Sequence, residues 1–174
     1  MKMTVNCGGL ILIDNDKIVL VKGKNGNYSF PKGKYEKKDA DIYECARREF
    51  IEECGCTNFS YYVDFNNPLF GHSAKGSKSI VYFVCHVMEK FTTFRQQLLD
   101  PDEEIEESGF FTLQEILALE TLKEDRKQLA RDALERSPGD HLDRIVDFSP
   151  QSSLEYQMLL SEELLSCKPK KKKK

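Results

Sequence analysis

Residues 30–56, FPKGKYEKKDADIYECARREFIEECGC, join a run rich in lysine and glycine to a segment that crowds three glutamates. From Asp41 to about Cys54, Ile42, Ala46, Phe50 and Cys54 recur every fourth position, the spacing of the apolar face of an amphipathic helix. Asp39 or Asp41 is placed to cap its start and Gly55 to end it. On such a helix Glu49, Glu52 and Glu53 fall within a sector of roughly 100°. Crowded like charges either face water, balanced here by Arg47 and Arg48, or are held for a cation. Arg48 precedes Glu52 by one helical turn and can direct its carboxylate. Three carboxylates form a hard oxygen site suited to Mg²⁺ or Mn²⁺. The neighbouring loop supplies backbone amides and the cations Lys32 and Lys34, on either side of Gly33, for an anionic ligand such as phosphate. Together these residues suit metal-assisted attack of water on a phosphoanhydride.

Upstream, TVNCGGLILI and KIVLVKG are β-rich runs across the polar turn Asp14-Asn15-Asp16, which predicts a hairpin. KNGNYSFPKGKYEKKD, dense in Gly, Asn, Pro and Lys, predicts mostly loop. Downstream, FSYYVDF (59–65) and SIVYFVCHVM (79–88) have strand composition, with an exposed connection, GHSAKGSKS, between them. GFFTL (109–113) predicts a short strand running into a helix. Leu122, Leu129, Ala130, Ala133 and Leu134 predict a second amphipathic helix from about Leu119 to Arg136, stopped by SPGD. SLEYQMLLSEELLS suggests one further helix before a lysine run. There is no internal repeat.

With 174 residues, 40% of them hydrophobic, the chain has the material for one medium domain. Its longest apolar runs fall short of a membrane span of about 18 residues. The start, MKMTVNCGGLILI, lacks a signal-peptide cleavage pattern, so the mature chain is expected to begin there. Six irregularly spaced cysteines predict buried, reduced thiols and a cytosolic or nuclear compartment. The formal charge is −3, but KPKKKKK at the end holds six of the 26 basic residues, leaving 20 against 29 acids elsewhere. An acidic body is a poor general binder of nucleic acid. The tail reads either as a nuclear-targeting or polyanion-contacting appendage or as a solvated end.

The pattern Gly33-x5-Asp39-x8-Arg48-Glu49-Phe50-x-Glu52-Glu53-x-Gly55-Cys56 resembles the Nudix box, and the order of flanking strands and helices extends the likeness over about residues 4–136. Two departures stand out: Asp39 replaces the first glutamate of the family pattern, and the spacing from Gly33 to Arg48 is one residue longer. The resemblance implies an α/β/α sandwich with a mixed sheet and a pyrophosphohydrolase activity. It implies that Glu49, Glu52 and Glu53 bind divalent metal with the Gly33 carbonyl, that one glutamate serves as base, and that Arg48 orients a glutamate. Within DPDEEIEESGFFTL, Glu104 is the first choice for a further acidic ligand or base, with Glu103, Glu106 and Glu107 as alternatives. AKGSKSIVYFV is similar to a strand of diadenosine tetraphosphate hydrolases and would turn Lys78 and Tyr82 toward a polyphosphate; core packing is the other reading of Tyr82.

The expected organisation is a Nudix domain over 1–148, a helical extension over 149–167 and a disordered lysine tail over 168–174. The expected substrate is a small-molecule polyphosphate, a dinucleoside polyphosphate or a diphosphoinositol polyphosphate. Capped RNA is the second candidate, because FPKGK and CARRE also resemble the box of decapping hydrolases. A silent binding module is a third reading, opposed by the intact Arg48, Glu49, Glu52 and Glu53. A monomer without membrane association is expected, in the cytoplasm or, through its lysine run, the nucleus.

Overall fold

The computed structural model describes residues 5–54, 60–72, 79–87, 105–136 and 144–147. Strands β1 (Val5–Asp14) and β2 (Lys17–Gly23) form the expected hairpin, in register at Asp14 and Lys17. Asn15 and Asp16 at the turn have φ of 51° and 65°. Positive φ at both central residues belongs to a type I′ turn, whose twist matches the strands it joins, and Asn and Asp tolerate it best after glycine.

The loop-like stretch holds two short strands, β3 (Tyr28–Ser29) on β2 and β4 (Lys32–Lys34) on β1. Helix α1 (Ile42–Cys54) follows. Strand β5 (Ser60–His72) outruns its expected end at residue 65, because an irregularity between Asp64 and Leu69 lets it resume pairing with β6 (Ser79–Val87). Strand β7 (Ile105–Thr112) lies on β2 and leads into α2 (Leu113–Ala118), whose cap Thr112 and Glu115 form a reciprocal capping box. The single helix expected over 119–136 is instead α3 (Glu124–Glu135), separated from α2 by a turn. Strand β8 (Arg144–Asp147) pairs with β5. The proposed C-terminal helix and the lysine tail lie outside the described residues.

One sheet results, in the order β3-β2-β1-β6-β5-β8, with β4 on β1 and β7 on β2. It is mixed, since β1 runs parallel to β6 while its other pairings are antiparallel. Leu10 and Leu12 of β1 join a core with Ile42, Ala46 and Phe50 of α1, whereas Ile11 and Ile13 join a second core with Ile116, Leu129 and Ala133 of α2 and α3. Both faces are therefore covered, which is why β1 reads as a continuous apolar run. The three layers are those of an α/β/α sandwich. The free thiols Cys45, Cys54 and Cys85 are buried in it, as expected of reduced cysteines. No described helix is long and apolar enough to cross a membrane.

His86 on β6 is 8% exposed. Burial lowers its pKa, with the Asp64 carboxylate opposing the shift. The fold thus prefers neutral imidazole, whereas the unfolded chain takes up a proton near the ordinary value of about 6.5. This part of the stability is complete above that value and is lost as pH falls through it toward the lower folded value. Thermal melts between about pH 7.5 and 5.5 should show a smaller loss of stability for His86→Gln than for the native chain. Equal slopes would contradict the assignment.

Candidate active site

Helix α1 starts at Asp41, whose Oδ1 accepts the Glu44 N–H at 2.8 Å. That frees Asp39 for another task. Arg48 donates from Nε and Nη2 to the two Asp39 oxygens at 2.8 and 2.9 Å. It also donates from Nη2 to the Lys34 carbonyl at 3.0 Å, and from Nη1 to Glu49 at 2.8 Å and Glu52 at 3.3 Å. The planar guanidinium ties loop, helix and two of the three glutamates into one unit. Asp39 also accepts the Glu36 N–H at 2.9 Å.

Asp39 is nearly fully buried, with 3% of its side chain exposed. Asp39→Asn keeps the shape but replaces a charged acceptor with a neutral one. Its urea unfolding midpoint should correspond to a loss of about 1–3 kcal/mol. An unchanged midpoint would show that the fork adds nothing to stability.

The backbone of Gly33 lies directly behind Glu49, where a Cβ would overlap the carboxylate. Confinement there raises the Glu49 pKa to about 7, through burial first, with Arg48 pulling it down and Glu52 and Glu36 pushing it up. Glu53, 8% exposed, accepts the Lys32 backbone N–H at 3.0 Å. Glu52 is the most open of the three. No three acidic, histidine or cysteine side chains among the described residues close around a metal position by themselves. Magnesium sites usually take one or two carboxylates and complete their shell with water and substrate oxygens. An all-oxygen set made of the buried Glu53, the half-buried Glu49 and the open Glu52 carboxylates suits such a hard ion. Gly33, Glu49, Glu52 and Glu53 are the residues that would hold it.

Glu53 and Lys32 also line a cleft of about 830 Å³, whose walls come from the turn between β2 and β3, the stretch between α2 and α3, and Arg126 of α3. This is within the range of small-molecule sites, about 300–1,000 Å³. Among the substrate lysines expected from sequence, Lys32 lines it, whereas Lys34 is exposed and outside its lining. Lys78, Glu103 and Glu104 lie outside the described residues. Glu106 pairs with Lys22 at 3.7 Å and Glu107 accepts from the Tyr28 hydroxyl at 3.2 Å.

Of the two readings given for Tyr82, the structure has core packing: its side chain is fully buried and packs edge-on against Phe30. Both faces of the sheet are covered at β6, and on the face that Tyr82 takes the cover is α3, whose Leu129, Ala130 and Ala133 share its core. The cleft instead receives Arg126, Lys123, Lys24 and Tyr28, which the sequence reading did not assign. Arg126 had a legible signal, since it stands four residues after Leu122 and four before Ala130, on the apolar stripe of α3.

A mixed sheet between helical layers, with a glutamate-bearing helix docked on the short strand that carries Gly33, defines an α/β/α sandwich. The chain belongs to the NUDIX domain family, whose pattern matches residues 4–133. Over 101 residues it is 33% identical to the m7GpppN-mRNA hydrolase of Saccharomyces cerevisiae. That alignment covers 57% of this chain but 10% of the yeast protein, so the chain spans about a tenth of the length of the curated relatives it matches. Among solved structures, a Caenorhabditis elegans Ap4A hydrolase superposes with a TM-score of 0.59 at 17% identity, covering 72% of this chain and 93% of that one. A bifunctional NMN adenylyltransferase/ADP ribose pyrophosphatase from Francisella tularensis, complexed with AMP and a manganese ion, gives a TM-score of 0.58 at 16% identity, covering 78% and 42%.

Proposed function

We propose that this protein is a metal-dependent pyrophosphohydrolase acting on a small molecule with a charged phosphate chain, a dinucleoside polyphosphate or a diphosphoinositol polyphosphate. The observation that carries this reading is the shared cleft, in which Glu53 faces a space lined by Lys24, Lys32, Lys123 and Arg126. A divalent ion, Mg²⁺ or Mn²⁺, bound there would polarise phosphoryl oxygens and activate water. The chain's own residues do the rest. Arg48 holds Glu49 and Glu52 in place, the Lys32 N–H fixes Glu53, and the lysines balance the charge of the departing phosphate. Water attacks one phosphorus while one of the three glutamates takes its proton, the phosphoanhydride P–O bond breaks, and the leaving phosphate keeps the bonding electrons.

The test is a panel of diadenosine polyphosphates, diphosphoinositol phosphates, nucleotide sugars and capped RNA, with products weighed after reaction in ¹⁸O-labelled water. One phosphate-bearing product should carry the label. If no phosphoanhydride is cleaved with either metal, the fold serves as a binding module.

The yeast relative favours a second reading, cap hydrolysis. In that case deleting residues 168–174 should weaken RNA binding and flatten its salt dependence. An unaltered salt slope would leave the small-molecule reading alone.

A further inference from the structure

Arg126 is a buried cation, 5% exposed, on a helix face otherwise packed against the sheet. Its guanidinium lies over the Tyr82 ring, 5.8 Å from the centroid, and Nη2 donates to the His72 carbonyl at 2.8 Å. Nη1 donates to Asp125. Gly71 leaves room for this arrangement, because a Cβ there would come within 2.8 Å of Nη1. A guanidinium offers five N–H donors in a rigid fork, more than these partners take up. Desolvating a cation is costly, and a structural role would be served more cheaply by an apolar residue.

The placement of Arg126 is matched by its surroundings. The charged residues lining the cleft are Lys24, Lys32, Lys123 and Arg126 against Glu53 and Glu120. The chain outside its lysine tail is acidic, so this local excess of positive charge runs against the sign of the body and is focused by low-dielectric walls. Lys32 stands beside Glu53, whereas Lys123 and Arg126 come from α3 and its entry turn, and Lys24 from the turn after β2. Tyr28 ties these parts together, its N–H donating to the Thr121 carbonyl at 3.2 Å.

We propose that Arg126, with Lys123 and Lys24 at the rim, anchors a phosphate group of the substrate other than the one attacked, so that this part of the cleft selects ligands carrying phosphate beyond the scissile bond. Tyr82 is then a positioning residue, supporting the guanidinium from below. The proposal rests on the hydrolase reading only in taking Glu53 to mark where the bond is broken.

Binding is measured by calorimetry in EDTA, on the full chain, with inorganic tripolyphosphate and with inositol hexakisphosphate. Arg126→Gln should weaken binding about tenfold or more. The double variant K24Q/K123Q, at two exposed positions, should weaken it about threefold or more. In turnover each variant should raise KM by the factor it loses in binding while kcat is retained. A larger loss for tripolyphosphate marks a linear chain as the anchored group, and a larger loss for the inositol compound marks ring-borne phosphate. Should Arg126→Gln fail to fold, the double variant decides alone. Unchanged binding and KM in it, or no binding of either probe by the native chain, overturns the anchor. A native chain that binds tripolyphosphate through these cations yet cleaves no phosphoanhydride overturns the hydrolase reading and leaves the anchor standing.

Discussion

Glu53→Gln is expected to lower kcat by about 10²–10⁴-fold, the range for loss of a positioned proton acceptor, with the melting temperature nearly unchanged. The substitution separates charge from shape. The Gln side-chain oxygen can still accept the Lys32 N–H that Glu53 accepts at 3.0 Å, so the β4–α1 junction is kept. What is lost is a negative charge at the wall of the cleft, where metal and attacking water would meet. Steady-state turnover and a thermal melt on the same preparation check both halves. Near-native turnover would remove Glu53 from the chemistry, and one of the other two glutamates would have to take its place.

Gly33→Ala should cost about 10²-fold or more in turnover, comparable with misplacing a reacting group by about 1 Å, while stability changes little. The added methyl overlaps the Glu49 carboxylate, which is the free end of a flexible side chain and can swing aside. Moving it breaks the 2.8 Å bond to Arg48 and withdraws an oxygen from the expected metal set. Manganese titration followed by its paramagnetic effect on water relaxation should show weakened binding, an independent reading of the same displacement. A Gly33→Ala enzyme with native turnover and native manganese affinity would mean that Glu49 works from a different position. Both variants probe residues that the sequence joins to one motif, but for different reasons. Glu53 contributes a charge to the cleft, and Gly33 contributes the absence of a side chain.

Much of this site was legible before any coordinates. The four-residue spacing of Ile42, Ala46, Phe50 and Cys54 located α1, and the same geometry put Glu49, Glu52 and Glu53 on one edge. These are local relations along a single helix, so periodicity is enough to read them. Asp39 was harder, since Asp39 and Asp41 are equally plausible caps by position. Only the bidentate bond to Arg48, nine residues away, separates the cap from the fork. Tyr82 stayed open between substrate and core because an alternating strand tells which face a side chain takes and not what covers that face. Here α3 covers it. Arg126 could have been suspected from its place on the apolar stripe of α3, but its orientation over Tyr82 and toward the cleft depends on Tyr82 and on His72, 54 residues away in the chain.

By itself, then, the sequence determined the hairpin, the glutamate-bearing helix with Glu49, Glu52 and Glu53 on one edge, and the sandwich class, since each rests on neighbours within a few turns or on a motif of fixed spacing. Only the tertiary structure decided which aspartate caps α1, that Tyr82 is core, and that Lys24, Lys32, Glu53, Lys123 and Arg126 share one cleft. Those residues are far apart in sequence. They converge because β1 and β2 lie between α1 on one face and α2 with α3 on the other, and burying both faces of that sheet brings the turn after β2 and the start of α3 to the edge where the glutamates stand.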